Sequence, residues 1–284
     1  MKNIFLLLFS ITTSITYSQS NFQGKAIYMS KTSMDMDFGG RQMSEDQKKQ
    51  IAARMKSFLE KTFVLNFNQV ESTYKEEESL STPVAGGGRG GFGGFTGFSG
   101  GLKYKNTKDS IVLEETEFFG KNFLISEPGN KPDWKLGSET KTIGNYICYK
   151  ATLVKEVDAI SIASLARRGR GNQSGNNTED KEEEKPKTMI VTAWYTPQIP
   201  VSQGPGEFWG LPGLILEVNT DNTTLLCTEV TMNPKEKVSL TKPSKGKKVT
   251  REEYNTIVKK KTKEMIEQFQ GGGGRGNGGG RGRG

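Results

Sequence analysis

The sequence predicts a mainly β fold of the α+β type: a single antiparallel, curved sheet with one helix after the first strand and an amphipathic helix near the C-terminus. Three observations carry this. Short runs with period-two alternation, such as Phe63, Leu65 and Phe67, recur along the chain between turn residues. Only two stretches space their apolar residues as a helix does. The glycine excess is local: of 35 glycines, 10 lie in residues 86–101, 3 in 169–175 and 10 in 271–284. Outside those tracts the composition is that of an ordinary globular chain.

Residues 22–31 alternate and form the first strand. Ser44-Glu45-Asp46-Gln47 resembles a capping box. Ile51, Met55, Phe58 and Leu59 follow at helical spacing, so the spacing predicts a helix over Ser44–Glu60. Strands are expected from Lys61 through Asn68, at 72–75, 102–106, 110–117, 121–126, 134–136 and 144–155. The pattern resumes at 191–196, then 214–218 and 223–232 with a turn at 219–222. Thr250-Arg251-Glu252-Glu253 is a second capping box, and Tyr254, Ile257, Val258, Met265, Ile266 and Phe269 form one stripe of a helix that packs on the sheet. Insertions at 83–101 and 161–187 interrupt a single domain over 19–269. The end, 270–284, reads GGGGRGNGGGRGRG after Gln270 and is disordered by composition.

Residues 1–18, MKNIFLLLFSITTSITYS, read as a secretory signal peptide, with Lys2 before a short apolar run and Thr16 and Ser18 at a cut before Gln19. The apolar run is shorter than a span needs, so the mature chain is expected to lack a transmembrane segment and to reside in the periplasm or cell envelope. An even pair of cysteines in an exported chain points to a Cys148–Cys227 disulfide, with two buried free thiols as the other reading. The net charge is +8. Residues 235–284 hold 14 basic and 5 acidic side chains, which leaves the remainder near neutral. In an exported chain this basic end suits a solvated tail or weak contact with anionic lipid or polysaccharide, not nucleic acid.

The chain contains no histidine. Ser-His-Asp and Cys-His catalysis and histidine zinc sites are therefore excluded, and two cysteines cannot build a four-thiolate centre. No cofactor and no metal site are expected. Met29, Met34, Met36 and Met43 could offer thioethers to Cu(I), or simply fill core gaps. Glu207 and Glu217 could act as a hydrolytic carboxylate pair, or be ordinary surface residues. The most structured signal is 193–218, AWYTPQIPVSQGPGEFWGLPGLILEV. Its prolines fix φ and its glycines open it elsewhere. Leu211-Pro212-Gly213-Leu214 fits a type II turn. Regular alternation after it would put Leu214, Leu216 and Val218 on one face, and Ile215 and Glu217 on the other. Phe208, Trp209 and Leu211 either plug the end of the core or present an apolar contact site.

Residues 210–215 spell GLPGLI, and the chain resembles the GLPGLI family of exported Gram-negative envelope proteins. The resemblance extends to Lys121–Ser126 (KNFLIS), Trp134-Lys135-Leu136, Glu139–Lys141, Ile143–Thr152 (IGNYICYKAT) and 193–205, within about residues 22–232. It implies no established enzymatic activity and no catalytic residue. The expectation is a non-enzymatic binding or accessory protein, with Phe208, Trp209, Leu211, Pro212, Gly213, Leu214, Ile215 and Glu217 as candidate contacts for an apolar ligand or envelope partner. A carboxylate-dependent hydrolase and a structural envelope component held by its basic tail are the alternatives.

Overall fold

The computed structural model describes residues 22–33, 44–46, 56, 59–77, 101–156 and 188–272, with side chains in the last helix described to residue 264. Twelve strands form one sheet. In chain order they are β1 (Gln23–Thr32), β2 (Glu60–Asn68), β3 (Glu71–Glu76), β4 (Lys103–Asn106), β5 (Ile111–Phe118), β6 (Lys121–Pro128), β7 (Lys135–Ile143), β8 (Tyr146–Glu156), β9 (Thr188–Thr196), β10 (Leu214–Asn219), β11 (Thr223–Met232) and β12 (Lys247–Val249). One helix, α1 (Arg251–Gly272), follows. The order across the sheet is β12-β6-β5-β4-β3-β2-β1-β11-β10-β9-β8-β7.

Two expectations need correction. The sheet is mixed: β12 runs parallel to β6, with Lys247 opposite Phe123 and Val249 opposite Ile125. A three-residue strand rich in lysine has too little pattern to announce itself, and its register comes from the β6 edge it meets. The helix predicted over Ser44–Glu60 lies largely outside the described residues, and Glu60 itself opens β2. Leu65 and Phe67 are fully buried, so the alternation that marks β2 is the one that builds the core.

The sheet turns over at one seam. β1 and β11 pair along nearly their whole length, from Gly24 opposite Met232 to Thr32 opposite Thr223. β10 pairs with β11 only at Glu217–Leu226, Val218–Leu225 and Asn219–Thr224. The Cys227–Met232 half of β11 is therefore free of β10, and the sheet folds there. Ala26, Tyr28, Leu65 and Phe67 share one apolar core with Leu214 and Leu216 of β10 and Cys148 of β8, and Ile199 and Val201 fill the space between. Tyr28 fastens the seam, its hydroxyl donating to the Ile215 carbonyl at 2.7 Å. Each such fully buried side chain contributes roughly 1.5–3 kcal/mol.

The expected disulfide is not seen in this structure. Cys148 and Cys227 are both buried free thiols. Both pack in the same apolar core, but each sulfur turns to a carbonyl on its own strand: Cys148 Sγ to Tyr146 O at 3.7 Å, Cys227 Sγ to Glu229 O at 3.3 Å. Burial pushes the thiols up to about 11 and about 12, which keeps them protonated and inert.

The C-terminal helix begins as its capping box requires. Glu253 N–H donates to Thr250 Oγ1 at 3.2 Å, and Thr250 N–H donates to Glu253 Oε2 at 2.9 Å. Tyr254 and Val258, one turn apart, pack on Phe118, Phe123, Ile125 and Val249. Arg251 Nη2 bridges Glu114 at 2.6 Å and Glu127 at 2.7 Å, which pins the first turn to β5 and β6. Among the described residues no helix is long and apolar enough to cross a membrane.

Candidate functional site

The stretch between β9 and β10 is a plug. Its backbone closes on itself: Phe208 N–H bonds Pro205 O at 3.0 Å, Gly210 N–H bonds Ser202 O at 3.1 Å, Leu214 N–H bonds Ile199 O at 3.0 Å and Ile215 N–H bonds Gln203 O at 3.2 Å. Trp134 clamps it from outside, Nε1 donating to Trp209 O at 2.8 Å. Phe208, Trp209, Leu211, Gly213, Leu214 and Ile215 are buried, Pro212 is exposed, and Glu217 is half-buried. Phe208, Leu211 and Ile215 belong to a second core with Ala151, Val191, Ala193, Tyr195 and Val218.

The turn chemistry differs from the sequence reading. The left-handed residue is Gly210, at φ 92°, not Gly213, so Leu211–Leu214 is not a type II turn. Gly213 is required for another reason: a Cβ there would lie 2.2 Å from the Thr196 carbonyl oxygen. Regular alternation along β10 also fails. Ile215 faces Tyr195 while Glu217 faces Trp194, so Leu216 is the extra residue of a β-bulge. The bulge sends Leu214 and Leu216 into the first core, and Ile215 and Val218 into the second. Glu217 joins the Trp194 side, where it accepts from Lys141 Nζ at 2.7 Å, and that amine lies 4.5 Å from the Trp194 ring centre.

The two glutamates of the hydrolase reading do not converge. Glu207 pairs with Lys155 on β8 at 2.5 Å, whereas Glu217 pairs with Lys141 on β7. Among the described residues no group of three His, Cys, Asp or Glu could hold a metal ion. Met29 is exposed on β1; Met34, Met36 and Met43 lie outside the described residues, as do the signal segment and the tail beyond 272.

Beneath the plug lies a polar nook with no signature in the sequence. Direct register partners share a face, so Phe67, Ser72 and Lys105 stand side by side on β2, β3 and β4. Ser72 Oγ donates to Gln203 Oε1 at 2.8 Å, and Lys105 Nζ lies 5.2 Å from the centre of the Trp209 ring. Lys105 is only 5% exposed. Lys105 Nζ and Gln203 Nε2 are buried without a hydrogen-bond partner among the described residues. Burial, with Lys103 nearby as a second cation, brings the Lys105 amine down to about 7. The Ser72 hydroxyl is committed to Gln203, so it is not held against the lysine as a nucleophile would be.

On the opposite face of β2 and β3 is an open cleft of about 380 Å³. Val64, Asn66, Thr73 and Lys75 form its floor, Leu102 one wall, and Ser239 and Thr241 another. Thr73 Oγ1 holds that second wall by donating to Ser239 O at 2.9 Å.

The fold and site define a β-rich protein with one large open mixed sheet, closed at its seam by an internal plug. Residues 134–217, which run from just before β7 into β10 and include the whole plug, match a family described as "Protein of unknown function (Porph_ging)". No curated protein matches the sequence. Among solved structures the chain is similar to PNGF-II in two crystal forms, each at 13% identity and TM-score 0.47 over 84% of this chain. It spans about a third of the PNGF-II chains, 33% and 34%. It is also similar to LprF from Mycobacterium bovis, at 7% identity and TM-score 0.25, over 84% of this chain and 96% of that one.

Proposed function

We propose that the protein is an exported, non-enzymatic binding or accessory protein of the Gram-negative envelope, of the GLPGLI type. Its ligand is an apolar molecule, or an apolar segment of an envelope partner, seated in the cleft over β2 and β3. The observation that supports this is the cleft itself. Its volume of about 380 Å³ falls within the range of small-ligand sites, roughly 300–1,000 Å³. Val64 in the floor and Leu102 in the wall supply apolar surface, and Glu76 and Glu77 a charged rim. The plug residues Phe208, Trp209 and Leu211 serve this reading indirectly, by stiffening the sheet behind the cleft. The basic tail adds weak contact with anionic lipid or polysaccharide, which raised salt would reverse.

Native mass spectrometry of the protein purified from its own envelope tests the proposal. A discrete added mass is expected, and Leu102→Asp, which puts a charge in the apolar wall, removes it. A wild-type protein that carries no added mass and retains no envelope partner overturns the reading.

A further inference from the structure

We propose that Lys105 and Gln203, beside the Trp209 ring, form a binding site for a carboxylate group, separate from the cleft over β2 and β3. The argument starts from two buried donors. Lys105 Nζ and Gln203 Nε2 have no hydrogen-bond partner among the described residues, and buried polar groups are ordinarily satisfied. The two side chains gather on Ser72: Lys105 is its register partner, and Gln203 accepts its hydroxyl. Two buried donors without a partner call for an acceptor, and a ligand from outside can bring one.

The acidic residues on this face are taken. Glu114 lies between Lys103 Nζ at 3.6 Å and Arg251 Nη2 at 2.6 Å, and Glu127 also bridges to Arg251. Among the described residues none is paired with Lys105. The charge and shape of the missing group follow. One ammonium balances one negative charge, and a carboxylate offers two coplanar oxygens, one for Nζ and one for Nε2. A phosphate dianion would bury an excess charge against a single cation. The Trp209 ring lies against Lys105 Nζ, so it shields the ion pair from water and holds the ammonium by cation–π attraction. Val112 and Glu127, both half-buried, continue the row that contains Lys105.

The test is titration of the purified protein with sodium acetate, with sodium chloride at equal ionic strength as reference. A second arm compares N-acetyl-diglycine with its amide, to separate a small free acid from a peptide C-terminus. The readout is the Gln203 side-chain amide in a ¹H–¹⁵N spectrum. The expected result is a saturable shift with acetate or with the peptide acid, absent with chloride and with the peptide amide. The tighter of the two binders identifies the source. Lys105→Met should weaken binding about tenfold or more, as the loss of a charge-assisted hydrogen bond does. Gln203→Leu, read through the Trp209 indole, gives a second variant should the first fail to fold. No saturable shift with any carboxylate, or an equal shift in wild type and Lys105→Met, overturns the proposal.

Discussion

Replacing Lys105 with methionine should flatten the pH dependence of stability between pH 7 and 9. The folded-state amine titrates at about 7 against an ordinary 10.5, chiefly because it is buried. Between those values the unfolded chain holds a proton on Lys105 that the folded chain has released. Stability from this group therefore rises with pH, is lowest below about 7, and levels off above 10.5. The slope is about 1.4 kcal/mol per pH unit at full separation, so the rise from pH 7 to 9 is about 2 kcal/mol. Methionine keeps the length and packing of the stem and removes the titration. Among the described residues the charged groups along its row are Lys103, two residues away on β4, and Glu127, two register steps along and bound to Arg251. The window stops at pH 9 because the unfolded thiols begin to ionise there, while the folded ones stay protonated to about 11 and about 12. That effect has the opposite sign and is shared by both proteins. Guanidinium chloride unfolding at pH 7, 8 and 9 in carboxylate-free buffer gives the two curves. If wild type and Lys105→Met run parallel, the amine is charged in the folded state, and the burial argument fails.

Arg251→Met should detach the start of α1 and cost about 2–4 kcal/mol, because it leaves Glu114 and Glu127 without their shared cation; thermal unfolding and helix content check it. In the wild type, burial alone would raise Glu114, but Lys103 and Arg251 hold it below 4.5, so its stabilisation is present above that value and is lost as pH falls through the folded pKa. The Arg251 variant should show a weaker acid loss. Gly213→Ala should cost about 2 kcal/mol or more, since its Cβ would meet the Thr196 carbonyl at 2.2 Å. Exposed Pro212→Ala should stay within about 0.5 kcal/mol; equal effects in the two would overturn the packing account of the plug. Both cysteines should resist a thiol reagent in the folded protein and react after unfolding, with an intact mass unchanged by reductant; a gain of two hydrogens on reduction would show a bridge.

Much of the fold was legible because burial on one side of a sheet leaves period-two alternation in the sequence. Leu65 and Phe67 on β2 and Val191 and Ala193 on β9 show it, and a capping box marks the start of α1. What stayed hidden depends on contacts between distant segments. β12 has three residues and takes its direction from β6. The bulge at Leu216 is set by the register of β9 and leaves no trace in a run of apolar residues. Lys105 lies in KYKN, where alternating lysines read as a solvated face. In the fold it is buried, and Trp209, from the plug, lies beside it. Gln203 leaves no local sign for the same reason, since its partner Ser72 is 131 residues away.

The six residues of the motif can each be given a reason, and the reasons are architectural. Gly210 takes a left-handed φ of 92° that admits few other residues. Leu211 seals the second core at 1% exposure. Pro212 holds the corner from the solvent side, and Gly213 lets the chain pass against β9. Leu214 and Ile215 then enter two different cores from adjacent positions. Of the motif's side chains only Pro212 is exposed. Under the binding proposals, ligand choice would fall to residues that the plug positions, Gln203 and Lys105 among them, and to the opposite face of β2 and β3. Two proteins that share the motif could close the same sheet and bind different molecules.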